Sequence, residues 1–136
     1  MAEIKINTSS KILVVDDDKS VRGFLELFLK TKGFTDVQST ENAEEAIKVI
    51  EKEDIKLILL DVMLPGMNGI EALRKIKSIK KDVRVIMITG YPDEEKAKEA
   101  IKEGVYDYII KPFDLFYLEL ILLTKLIQLG YQKEGE

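Results

Sequence analysis

Four consecutive apolar residues, Leu57-Ile58-Leu59-Leu60, run directly into Asp61 and then into the turn-rich segment Val62-Met63-Leu64-Pro65-Gly66-Met67-Asn68-Gly69. A run that is apolar at successive rather than alternate positions reads as a strand covered on both faces, as in parallel sheets. Such a strand has no structural reason to end in a carboxylate, which makes Asp61 a candidate reactive group. The pattern recurs near the start of the chain, where Lys11-Ile12-Leu13-Val14-Val15 leads into Asp16-Asp17-Asp18.

Between these strands the apolar period changes. Val21, Phe24, Leu25 and Phe28 fall at helical spacing, with Ser20 placed to cap that helix and Gly33 to end it. A short second strand is expected near Asp36 to Ser39, followed by a helix that opens on an Asn42/Glu45 capping box and buries Ala46, Ile47 and Ile50. After Asp61 and its turn comes a helix with Leu73 and Ile76 inward. A fourth strand follows from Val83 to Thr89, then a polar helix from about Asp93 to Lys102 ended by Gly104. A fifth strand runs from Tyr106 to Ile110, and a last helix, capped by Asp114, reaches about Leu129.

Strands alternating with helices across short turns specify an α/β fold, a five-stranded parallel sheet flanked by five helices. Right-handed crossovers leave a few doubly wound orders, in which ligands sit at the carboxyl ends of strands where the winding reverses. Asp16, Asp17, Asp61, Thr89 and Lys111 all fall at such ends, on strands one, three, four and five, whereas strand two contributes nothing. That omission predicts the order 2-1-3-4-5, with strand two at an edge. The boundaries expected are a polar lead over 1–10, one domain over 11–129 and a tail over 130–136.

Three carboxylates at one end of a sheet need a counter-charge, because two unit charges ~5 Å apart repel by roughly 3 kcal/mol at an effective dielectric of ~20. The chain has no histidine and no cysteine, so any metal here is hard and oxygen-bound. With so few protein ligands, Mg²⁺ retaining several waters fits better than a calcium cage. Lys111 offers an ammonium and Thr89 a hydroxyl for phosphoryl oxygens. Together these groups suit phosphoryl transfer onto Asp61, giving an acyl phosphate.

At these residues the chain resembles the receiver domain of two-component response regulators, over about Lys11 to Gln128. The resemblance combines the acidic pair after strand one, Asp-Val-Met-Leu-Pro-Gly-Met-Asn-Gly from Asp61, Thr89 after strand four and Lys111-Pro112 after strand five. It implies a flavodoxin-like fold and phosphorylation of Asp61 by a sensor histidine kinase or a phosphotransfer protein. It further implies Mg²⁺ held by Asp17 directly, by Asp16 mainly through water, by Asp61, and by the Met63 carbonyl. Thr89 would bond the phosphoryl group, Lys111 would pair with it, and Tyr108 takes the place of the aromatic switch residue. Self-catalysed phosphorylation and dephosphorylation are expected, rather than turnover of a separate substrate.

The last helix adds a feature of its own. From Leu115 to Ile127 ten of thirteen residues are apolar, more than one buried stripe requires, so a homodimer or partner interface is expected there through Phe116, Leu120, Ile121, Leu123 and Ile127. A net charge of -4 argues against nucleic acid or anionic membrane as a direct partner. No apolar run approaches membrane-spanning length and the first ten residues lack the apolar centre of a signal peptide, so the expected compartment is the cytoplasm. Two other functions share parts of the pattern. A haloacid-dehalogenase-like phosphatase would use Asp16 as nucleophile and Asp18 as acid but would leave Asp61 idle. A receiver-like binding module would keep the fold without phosphorylation.

Overall fold

The computed structural model describes residues 10–67, 69–89, 98–99, 102, 104, 107–110 and 120. The element order is β1 (Lys11–Val15), α1 (Lys19–Thr31), β2 (Val37–Thr40), α2 (Ala43–Lys52), β3 (Ile55–Asp61), α3 (Gly69–Ile79), β4 (Arg84–Thr89) and β5 (Asp107–Ile110). The strands form one sheet in the order β2-β1-β3-β4-β5, with every neighbouring pair parallel. This is the predicted doubly wound order. Of the two further helices expected, Lys98, Glu99, Lys102 and Leu120 are helical; their other residues lie outside the described ones.

The continuous apolar runs do what a two-sided sheet requires. Odd and even positions divide between two cores. Ile12, Val14, Leu57, Leu59, Ile86 and Ile88 pack with Leu25 and Leu29 of α1 and with Phe34. Leu13, Val15, Ile58, Leu60, Val85 and Met87 pack with residues of α2 and α3 that include Ala46, Ile50, Leu73 and Ile76. Ile47 is only partly buried against that second core. Strand β2 is half-buried throughout, as befits an edge, and runs one residue later than expected.

Helix ends are set locally. The N-cap of α1 is Asp18, not Ser20: its carboxylate accepts the backbone N–H of Ser20 at 2.9 Å and of Val21 at 3.4 Å. Ser20 sits inside the first turn, and its Oγ donates to Asp18 at 2.6 Å. Carboxylates outrank most residues at this position because they face the unpaired N–H groups and the positive end of the helix dipole. At the other end Gly33 takes φ 98° while its N–H bonds Lys30 and that of Phe34 bonds Leu29, which caps the last turn. Asn42 caps α2 as expected, accepting the Glu45 N–H at 2.9 Å.

At the amino-terminal end of the sheet Glu53 accepts from Gln38 at 2.8 Å and Lys11 at 3.2 Å. The Gln38 hydrogen bond, then the one from Lys11, holds its carboxyl below the ordinary value of 4.5. On α3, burial and then the Arg84 charge push the Lys77 ammonium below its ordinary range, while it donates to the Val83 carbonyl at 2.7 Å.

Candidate phospho-acceptor site

Strand register builds the site. Val15 of β1 lies opposite Leu60 of β3, so one further step along each chain brings Asp16 level with Asp61. The ladder runs on past β1, with the Asp16 N–H donating to the Thr40 carbonyl at 3.2 Å. Strand parity puts Asp61 in the row of Leu57 and Leu59, on the α1 side of the sheet.

Asp16, Asp17 and Asp61 each present a carboxylate oxygen within 4.8 Å of the other two. Asp16 is 1% exposed and Asp61 3% exposed, whereas Asp17 faces solvent. Both buried carboxylates are oriented by the same device, in which the side chain accepts the N–H two residues on. Asp18 N–H donates to Asp16 Oδ1 at 2.9 Å, and Met63 N–H donates to Asp61 Oδ1 at 2.9 Å. Gly66 turns the following loop with φ 77°, a conformation that favours glycine.

A hard divalent cation suits this donor set, which is all oxygen, carries three negative charges and is two-thirds withdrawn from water. Two carboxylate charges no more than 4.8 Å apart repel by roughly 3.5 kcal/mol or more at an effective dielectric of ~20, the scale of what a cation relieves.

Thr89 ends β4 fully buried, beside β3, where the Val62 N–H donates to the Ile88 carbonyl at 2.9 Å. Tyr108 lies on β5 opposite Met87. The Tyr108 side chain, Lys111, and the interface residues Phe116, Ile121, Leu123 and Ile127 lie outside the described residues. Leu120 is 55% exposed.

Arg22 is the site neighbour that the sequence reading missed. From the first turns of α1 its Nη1 donates to the Asp16 carbonyl at 2.7 Å, which fixes the strand end that carries the acidic pair. The available signal was directional. Long helical side chains lean toward the helix N-terminus, so an arginine four residues after the cap reaches back over the preceding strand end.

The family described as the response regulator receiver domain matches residues 12–122. The chain belongs to that family. Over 125 residues, 92% of the chain and 27% of its counterpart, the receiver is 35% identical to the regulatory protein AtoC of Escherichia coli (strain K12). Its fold superposes with a TM-score of 0.83 on a CheY-like receiver domain protein from Methanospirillum hungatei JF-1, at 30% identity, covering 92% of this chain and 98% of that one. A response regulator protein from Burkholderia pseudomallei, solved with a phosphorylated aspartic acid, a calcium ion and citrate, matches at 26% identity with a TM-score of 0.77. That match covers 92% of the receiver and 73% of the other chain. The receiver spans between 23% and 52% of the length of four curated relatives it matches. Among the described residues, no helix is long and apolar enough to cross a membrane.

Proposed function

We propose that this receiver takes a phosphoryl group onto Asp61 from the phosphohistidine of a sensor kinase or phosphotransfer protein. The P–N bond to the donor imidazole breaks as a P–O bond to the Asp61 carboxylate forms. The observation that carries this reading is the convergence of Asp16, Asp17 and Asp61 within 4.8 Å at the end of two adjacent strands. Asp16, Asp17, Asp61 and the Met63 carbonyl are the groups that would hold Mg²⁺. When bound, the ion neutralises the carboxylates and the charge developing on the phosphoryl oxygens. Asp61 is the nucleophile, already aimed by the Met63 N–H at 2.9 Å. Thr89 and Lys111 serve as donors to the new phosphoryl oxygens. The phosphorylated aspartate of the Burkholderia pseudomallei relative supports the same chemistry here.

On this reading the output runs through Thr89 and Tyr108 to the apolar segment after Asp114, whose Phe116, Leu120, Ile121, Leu123 and Ile127 are the candidate contacts for a partner or a second copy. With a net charge of -4, the domain works through protein contacts in the cytoplasm rather than by holding nucleic acid or membrane itself. Locating the acyl phosphate decides the chemistry. After reaction with acetyl phosphate, borohydride reduction and peptide mapping are expected to mark Asp61. A mark on Asp16 would establish the phosphatase-like alternative instead.

A further inference from the structure

Gly69 is the first residue of α3 and is buried. Its φ does not lie in the left-handed region occupied by Gly33, Gly66 and Gly104, so its backbone suits any L residue. Helix propensity alone then favours alanine over glycine. Space is what excludes it. A Cβ built on Gly69 falls 2.5 Å from Val62 Cα, 2.6 Å from the Asp61 carbonyl oxygen and 3.0 Å from the Val62 carbonyl oxygen. All three are main-chain atoms of a strand end inside a close-packed sheet, and none can swing aside as a side-chain tip can. The Gly69 N–H also donates to the Val62 carbonyl at 2.8 Å, so helix and strand end are joined where they touch.

Val62 stands between the two groups on which the acceptor reading depends. Before it is Asp61, and after it is Met63, whose N–H holds Asp61 Oδ1 at 2.9 Å and whose carbonyl is a candidate metal ligand. Moving the Val62 backbone therefore turns both the carboxylate and the Met63 main chain. We propose that Gly69 is a positioning residue for the phospho-acceptor. By having no side chain it lets α3 seat directly on the Asp61–Val62 backbone, which holds the carboxylate and the Met63 peptide in the arrangement that binds metal and receives phosphate. This rests on the reading of Asp61 as acceptor.

A methyl group at position 69 falls ~0.9 Å short of the 3.4 Å at which contact becomes ordinary, so helix and strand end must separate by a comparable amount. Misplacing a reacting group by ~1 Å costs about 100-fold in rate. Disturbing the support of metal ligands costs about 10- to 100-fold in affinity.

The test is Gly69→Ala beside Ile76→Ala, which opens the core two turns further along α3 without filling the space at Asp61–Val62. Mg²⁺ affinity is read from amide shifts in an NMR titration, phosphorylation from the rate with acetyl phosphate, and stability from thermal unfolding. Trimethylamine N-oxide is present throughout to favour the compact state. Gly69→Ala is expected to lower stability despite alanine's better propensity, to weaken Mg²⁺ binding at least about tenfold and to slow phosphorylation more. Ile76→Ala is expected to keep both functions near wild type at an equal or greater loss of stability. An unaltered Gly69→Ala, an Ile76→Ala that loses both functions as severely, or a Gly69→Ala that stays unfolded in the osmolyte overturns the proposal. Wild-type protein that takes up neither Mg²⁺ nor phosphate overturns the acceptor reading and this inference with it. A normal wild type beside a normal Gly69→Ala overturns this inference alone.

Discussion

Replacing Asp61 by asparagine should make the metal-free protein more stable. The substitution removes one charge from three carboxylates whose oxygens lie within 4.8 Å of one another, and asparagine keeps an Oδ1 to accept the Met63 N–H. The Asp16–Asp61 pair is buried, and at the 4.8 Å limit of that separation an effective dielectric of ~20 gives a repulsion of roughly 3.5 kcal/mol. The pair with exposed Asp17 is screened by water to about 0.9 kcal/mol. Relaxation reduces both, so the expected gain is about 1–4 kcal/mol, at roughly 3–4 °C of Tm per kcal/mol in a domain of this size. Mg²⁺ should erode that advantage. At 100 times its dissociation constant a ligand stabilises the wild type by about 2.7 kcal/mol, and the variant, short of one carboxylate, gains less. Thermal unfolding with a chelator and then across a Mg²⁺ series gives both curves. If Asp61→Asn in chelator is no more stable than wild type, the carboxylates do not repel as argued. If Mg²⁺ raises both proteins equally, Asp61 is not a ligand.

Asp18→Ala should cost about 1 kcal/mol in urea unfolding through loss of the α1 cap, yet leave Mg²⁺ affinity near wild type, because alanine keeps the backbone N–H that position 18 donates to Asp16. A collapse of metal binding in this variant would place the Asp18 carboxylate in the site. Glu53 has a folded pKa below 4.5, so between the two values the unfolded chain binds more protons than the folded one. Its contribution is therefore complete above about 4.5 and is lost as pH falls through the folded value. Glu53→Gln should flatten that limb of the pH–stability profile. An unchanged acid limb would show that Gln38 and Lys11 do not hold the carboxylate in solution.

Sheet order and acid placement were legible because both follow from strong local signals. Runs such as Ile12–Val15 and Leu57–Leu60 have to be central strands, and the residue after each then has a determined place at the sheet's carboxyl edge. Weak signals failed where alternatives were close in energy. Strand β2 is short, polar and half-buried, so its limits slipped by one residue. Three successive aspartates hid their division of labour: Asp16 turns inward, Asp17 outward, and Asp18 caps the helix whose cap was expected at Ser20. Arg22 escaped notice because its target is a backbone carbonyl, which leaves no trace in residue identity. The space that demands glycine at position 69 exists only once strand and helix meet.

Strand β3 is the middle strand of five, hydrogen-bonded to β1 on one side and β4 on the other. Peeling away either edge of the sheet leaves it paired, so Asp61 is freed only when the whole sheet comes apart. Partial unfolding concentrates where backbone pairing is one-sided and burial shallow. A group held this way cannot report its chemical state by melting its own segment. It acts as a fixed anvil, and one-sided pairing is left to the two outermost strands, β2 and β5. The carboxylate and the edges of the sheet thus differ in how much of the fold must open to release them.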